Sequence, residues 1–276
     1  MKKRLPTIIL ILVFLTGLSL LLYPTVSDWW NSFHQSRAIA EYARDIENLD
    51  KEAYERLLSD ARVYNEALSD RNNRFTLSEE DIREYNSLLD VSGTGIMGYI
   101  EIPEIKVSLP IYHGTSDAVL SIAVGHIEGS SLPVGGESTH CVLSGHRGLP
   151  SAKLFSNLDK LSEGDIFLIQ TLDETLTYEV DQIRIVEPQD ISGLAIEEGK
   201  DYCTLVTCTP YGINTHRLLV RGHRIKNTPE AQTVRVTSDA LQIDPMIVAP
   251  AVAVPILLVL LILVFIRSGK RSGNGG

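Results

Sequence analysis

The sequence predicts a mainly β domain, a barrel or a sandwich, preceded by helices and flanked by two membrane-spanning helices. Three observations carry this. From residue 93 to about 226, short runs rich in Val, Ile, Leu, Thr and Tyr follow one another between Gly and Pro residues, which is the pattern of many short strands and not of a βαβ alternation. From residue 31 to 70 the apolar residues recur at helical spacing instead. Both ends carry a charge-free apolar run beside basic residues.

The N-terminal run, "LPTIILILVFLTGLSLLLY", follows Met1-Lys2-Lys3-Arg4. Its length suffices for a helix to cross a bilayer at about 1.5 Å per residue. A cleaved signal peptide is the rival reading, but its apolar core spans about 7–15 residues and ends at a small-x-small site. Here "PTVSDWW" follows, and Trp29 and Trp30 suit the interfacial aromatic belt. Residues 1–24 are therefore expected to be an uncleaved anchor.

Residues 25–92 read as an extracellular helical segment. Ala38, Ile39, Tyr42, Ala43 and Ile46 share one helical face, as do Leu57, Leu58, Ala61 and Tyr64. Residues 69–81, "SDRNNRFTLSEED", break the pattern as a polar loop. Ser78 followed by Asp81 is expected to cap a short helix through "IREYNSLL".

Residues 93–228 hold the strands: "GYIEIPEIKVSLPIYHG", "HCVLSGH", "DIFLIQT", "LTYEVDQIRIV", "CTLVTC" and "RLLVRGHRI". Residues 229–245 are polar and read as a linker. Residues 246–266 form a second span, whose two prolines a membrane helix tolerates, and residues 267–276 a basic tail. By the positive-inside rule both basic flanks face the cytoplasm, which puts the middle of the chain outside. A sorting signal at this end would need an LPxTG-like motif before the span, and none is present.

The chain has 276 residues and formal net charge −10. The acidity argues against a nucleic-acid partner, whose footprint would be a basic face. Three cysteines, Cys141, Cys203 and Cys208, make an odd number in a compartment that permits disulfides, so at least one thiol is expected to be free. Cys141 and Cys203 read as small strand residues, with a bond between them conceivable.

Cys208 ends the apolar run "TLVTC" just before Pro210 and Gly212 force a turn. "THCVLSGHRGLP" likewise runs from a strand into a turn at Gly145-His146-Arg147-Gly148. Arg217 opens the strand that follows Cys208. One thiol, one imidazole and one guanidinium are thus expected at one end of the fold. Each suits acyl transfer: the thiolate attacks a carbonyl, histidine activates the sulfur and protonates a leaving amine, and arginine stabilises the oxyanion or holds the substrate backbone. His140, His216 and His223 compete for the histidine role. His140 opens its strand at the opposite end from the turn, His216 points away from Arg217 on a strand, and His223 lies beyond "LLVRG". A metal site built from several of these lacks ligand spacing, and neither metal nor cofactor is expected.

These residues resemble the sortases, the cysteine transpeptidases of Gram-positive cell surfaces. "TLVTC" matches their TLxTC signature, "CTPYGINTHRLLVRGHR" continues it, and "GHIEGSSLPVGGESTHCVLSGHRGLPSAKLF" resembles the segment that carries the family's histidine. The helical N-terminus, "GYIEIPEIKVSLPIYHG" and the C-terminal span resemble class C, the pilin-polymerising sortases. The resemblance implies an eight-stranded β-barrel over 93–228, with His146, Cys208 and Arg217 as catalytic residues. It implies cleavage of an LPxTG-like sorting signal between Thr and Gly through a thioester. The acyl group would pass to a lysine amine of a pilin subunit, or, in the alternative, to a cell-wall precursor amine. A non-catalytic pilus scaffold at the membrane is the distant alternative. Partners implied are pilins, surface proteins with such signals and the membrane.

Thr207 belongs to the signature and is a candidate substrate-site member through its backbone, or a packing residue. Class C sortases usually carry a lid with an Asp-Pro-aromatic motif. The candidate here is the 69–81 loop, with Asp70 and Phe75 in that role, but Arg71 stands where the proline would be. A lid and a plain solvated loop both remain open.

Overall fold

A computed structural model describes residues 5–69, 71 and 73–227. The linker, the second apolar run at 246–266, the basic tail and Asp70 lie outside the described residues.

Eight strands close into a barrel: β1 Ile96–Ile102, β2 Val107–His113, β3 Val124–His126, β4 Thr139–Ser144, β5 Ile166–Thr171, β6 Glu174–Val186, β7 Asp201–Thr209 and β8 His216–Ile225. Their order around the ring is β1-β2-β3-β4-β7-β8-β6-β5. Of the two architectures the strand pattern allowed, the barrel is the one formed. Two of the pairings, β2–β3 and β4–β7, are parallel; the others are antiparallel. β3 is the one strand absent from the sequence reading, since three residues are too few to display alternation.

The inward-facing residues follow the period of two. Cys141 and Leu143 of β4, Cys203 and Leu205 of β7, and Leu218 and Val220 of β8 all enter the main core. There Phe167 stacks on Tyr178 with ring centroids 5.5 Å apart. Each buried side chain of this size contributes about 1.5–3 kcal/mol of burial free energy. Cys141 and Cys203 are opposite one another across the β4–β7 pair, as buried free thiols.

Three helices precede the barrel: α1 Leu5–Glu47, α2 Lys51–Ser69 and α3 Glu79–Ser87. α1 runs 43 residues, roughly 65 Å at 1.5 Å per residue. It continues through residue 24, so the apolar run and the first half of the helical segment are one rod. Its apolar part is long enough to cross a membrane, with a mean hydropathy of 2.0 in the best window and none of that window buried. The single helix expected over 31–70 is instead broken near residue 48. The Asp50 carboxylate accepts the Ala53 N–H at 2.7 Å, which caps the next helix. α3 begins with the expected cap: Ser78 and Asp81 form a reciprocal capping box. Those bonds, with one from Arg71, pull the Asp81 carboxyl down to about 2.

The helices dock through buried polar contacts. The Tyr42 hydroxyl donates to the Met97 carbonyl at 3.0 Å and accepts the Leu172 N–H at 2.8 Å, so α1 grips β1 and the β5–β6 turn. Asn65 of α2 exchanges two bonds with the Leu132 backbone, at 2.7 and 3.1 Å. Tyr85 of α3 is fully buried, bonded to His126 Nδ1 at 2.9 Å and accepting the Gly114 N–H at 3.1 Å.

Candidate active site

The pairing register brings two of the expected residues together directly. Cys208 is the cross-strand partner of Arg217 between β7 and β8. On the other side of β7 lies β4, parallel to it, with Ser144 opposite Val206. Parallel strands end at the same rim, so the two residues that follow Ser144 and Val206 by two places, His146 and Cys208, leave the barrel side by side. The contact extends past the strand: the Gly145 N–H donates to the Val206 carbonyl at 3.1 Å. Cys208 thus sits on the middle strand, flanked by the histidine loop and the arginine strand.

All three residues are half-buried. Arg217 Nη1 donates to the carbonyls of Asn214 and His216, at 3.2 and 3.1 Å, which folds its guanidinium back over the β7–β8 turn. The histidine turn is fixed from both sides. Before it, Gly145 lies against Phe155, where an added Cβ would come within 2.7 Å of the ring. After it, Arg147 pairs with Asp159 at 2.5 Å and reaches the Thr209 hydroxyl at 3.4 Å. Arg147 was not singled out in the sequence, where it reads only as part of a turn.

Thr207 is 2% exposed, and its hydroxyl donates to the Gly145 carbonyl at 2.7 Å. The side chain faces the histidine loop and not solvent.

The competing histidines lie elsewhere. His140 is 1% exposed, bonded to the Ala195 carbonyl and the Thr204 hydroxyl, each at 2.7 Å. Burial pulls its pKa down to about 4. His216 is exposed and bonds to its neighbour Thr215. His223 stands beside Asp181 on the β6–β8 side. Among the described residues, no group of three His, Cys, Asp or Glu side chains is placed to hold a metal.

The outer face that carries Cys208 is apolar in the stretch next to it. Val206 is two residues before Cys208 and Leu219 two after Arg217, hence on the same faces. With Val142, Val186 and Leu194 they form a second core cluster outside the barrel. Phe75 of the 69–81 loop packs on this cluster, while most of the other described residues of the loop are exposed. Arg74 holds Phe75 there. One guanidinium nitrogen donates to the Gly129 carbonyl at 3.2 Å and the other to the Leu194 carbonyl, while the group lies 4.5 Å from the Phe75 ring centroid. Gly129, at φ +82, lets the loop approach: an added Cβ would come within 2.1 Å of the Arg74 carbonyl oxygen. Sequence reading picked Phe75 but not Arg74, whose two acceptors lie 55 and 120 residues away.

Residues 100–225 match the sortase domain family model. The crystal structure of sortase C1 from Streptococcus agalactiae is 53% identical, with 70% of this chain and all of that chain covered, at a TM-score of 0.68. Sortase C from Streptococcus pneumoniae is 46% identical, with 70% and 98% covered, at 0.63. A lid mutant of sortase A from Corynebacterium diphtheriae is 41% identical, with 66% and 98% covered, at 0.59. Among curated proteins, sortase D of Bacillus subtilis is 33% identical over 131 residues and sortase A of Streptococcus agalactiae 30% over 141; the chain spans 63% and 56% of their lengths. The chain belongs to the sortase family, and class C sortases are among the solved structures it resembles.

Proposed function

We propose that this chain is a cysteine transpeptidase, anchored in the membrane, that joins pilin subunits. The observation that carries the reading is the register around β7, with Cys208 opposite Arg217 and beside the loop of His146. In this reading the Cys208 thiolate attacks the carbonyl of Thr in an LPxTG-like signal. The Thr–Gly C–N bond breaks, and His146 gives its proton to the leaving glycine amine. Arg217 stabilises the oxyanion or holds the peptide backbone. A lysine amine of a second pilin then attacks the thioester, His146 takes its proton, and an isopeptide bond forms as the thiolate leaves. The Streptococcus pneumoniae relative has pilin substrate specificity, and the 53% identity to a sortase C1 supports carrying this class of substrate over.

The apolar cluster that leads to Cys208 is the natural floor for the extended signal peptide. Because Phe75 rests on that floor, the 69–81 loop serves as a lid. It lacks the Asp-Pro-aromatic motif and is pinned by Arg74 instead. The relative from Corynebacterium diphtheriae has a lid as well. α1 anchors the enzyme, and the apolar run at 246–266 provides a second span, with the barrel on the outer face.

The test is intact mass spectrometry of the protein with an LPxTG-type peptide and a lysine-bearing pilin domain. The expected result is a thioester on Cys208 and then a peptide–pilin adduct, both lost in Cys208→Ala. A thioester resolved only by glycine-type amines would point to attachment to the cell wall. Adduct formation by Cys208→Ala would sink the enzyme reading.

A further inference from the structure

α1 does not part from the catalytic domain where its apolar run ends. Just beyond Pro24 it meets the segment that follows His146. Asp28 Oδ1 accepts the Lys153 backbone N–H at 2.9 Å, and its Oδ2 lies 3.1 Å from the Lys153 ammonium. One turn on, Asn31 Nδ2 donates to the Ser151 carbonyl at 2.8 Å.

Ser151 and Lys153 sit at the tip of a short excursion that starts and ends at the histidine. The Phe155 N–H donates to the His146 carbonyl at 3.1 Å, and the Gly148 N–H to the Ser156 hydroxyl at 3.0 Å. A single bridge joins Leu149 to Ala152 between them. The returning limb is anchored by Ala152, Leu154 and Phe155, all buried. The outgoing limb from His146 to Pro150 is only part-buried: Arg147 ties its base to Asp159 and Thr209, Leu149 packs on the core, and the grip of α1 adds a hold at the tip. The Asp28 side chain is 18% exposed while that of Lys153 is 61% exposed. The carboxylate is therefore placed for the backbone N–H more than for the ammonium, which water screens. Trp29, Trp30 and Phe33 beside these residues stay exposed, as suits a stretch that leaves a bilayer.

We propose that Asp28 and Asn31 are positioning residues for His146: the membrane-emerging part of α1 clamps the tip of the histidine excursion and so fixes the imidazole beside Cys208. This rests on the reading of His146 as the proton-transferring group. The membrane helix is then part of the working site as well as its tether.

The experiment uses the full chain in lipid nanodiscs and an Asp28→Ala/Asn31→Ala double variant. Hydrogen exchange is expected to quicken at residues 147–153 and to stay unchanged in β5, β6 and β8. Turnover in thioester formation is expected to fall about five- to twentyfold, the effect of losing two hydrogen bonds of ordinary net strength. KM for the signal peptide should stay within about twofold, because no substrate contact is removed. Asp28→Asn keeps an acceptor for the Lys153 N–H and should restore most of the turnover. Unchanged exchange at 147–153 would overturn the clamp. Faster exchange with unchanged turnover would overturn its catalytic purpose, as would an equal loss in KM and in melting temperature. A wild-type protein that forms no thioester, yet shows the exchange difference, would instead remove the catalytic reading of His146 and leave the clamp as architecture alone.

Discussion

The hydroxyl of Thr207 donates to the carbonyl of Gly145 at 2.7 Å, so the residue before the thiol holds the residue before the imidazole. Thr207→Val removes the hydroxyl at nearly constant shape and leaves that buried carbonyl without this donor, a loss of about 1–3 kcal/mol. The expected outcome is a melting temperature lower by several degrees and slower thioester formation. Thr207→Ser should recover most of both. Equal turnover in Val and Thr proteins, measured by single-turnover acylation, would show that the histidine loop needs no such hold.

Arg74 and Gly129 make the proposed lid testable without touching the site. Arg74→Ala removes two bonds to backbone carbonyls. Gly129→Ala pushes a methyl group into the Arg74 backbone. Both variants should expose Cys208 to a small thiol reagent about tenfold faster, since each net hydrogen bond is worth about 1 kcal/mol. An unchanged alkylation rate in both would mean that the docked loop does not cover the thiol.

His140 makes stability depend on acid. Its folded pKa, about 4, lies below the unfolded value near 6.5. Below pH 6.5 the unfolded chain takes up the proton first, so stability present above that pH is lost as pH falls towards 4. The loss is on the order of 3 kcal/mol. Urea unfolding between pH 7 and 4 should show this fall, and His140→Asn should flatten it. The same slope in the variant would place the titration elsewhere.

Glu101 acts in the opposite sense. Burial raises its carboxyl to about 7, and one carboxylate oxygen is buried without a hydrogen-bond partner in the structure. A raised acid favours the folded state fully below the unfolded pKa and loses that advantage as pH rises through 7. Glu101→Gln should therefore unfold at a higher temperature than the parent at pH 8, with the gain gone by pH 4. A variant less stable than the parent at pH 8 would contradict the assignment.

The strands that carry the site were legible for a physical reason. "CVL" in β4 and "LV" in β7 are short unbroken apolar runs, the mark of strands covered on both faces. The structure shows the cause: Val142 and Val206 serve the outer cluster while Cys141, Leu143 and Leu205 serve the core. Cys208 and Arg217 were legible because a turn of six residues joins their strands into a local hairpin. The helix cap at Ser78 was legible because capping is local. The contacts of Arg74, Asp28 and Asn31 were not, since their partners lie 55 to 125 residues away and only the closed barrel brings them near. The break near residue 48 escaped because the apolar spacing on either side of it is helical.

The parallel pairing of β4 with β7 also sets when the thiol becomes useful. Parallel neighbours need a long crossover, and here the whole of β5 and β6 lies between them in the chain. Local hairpins form early, while contacts of large sequence separation wait for the entropy of closing the intervening chain to be overcome. A newly made chain is therefore expected to carry Cys208 for some time as an ordinary cysteine, with no histidine beside it. In the proposed reading, reactivity comes only with the pairing of β4 and β7, and a copy that misses that pairing is inert.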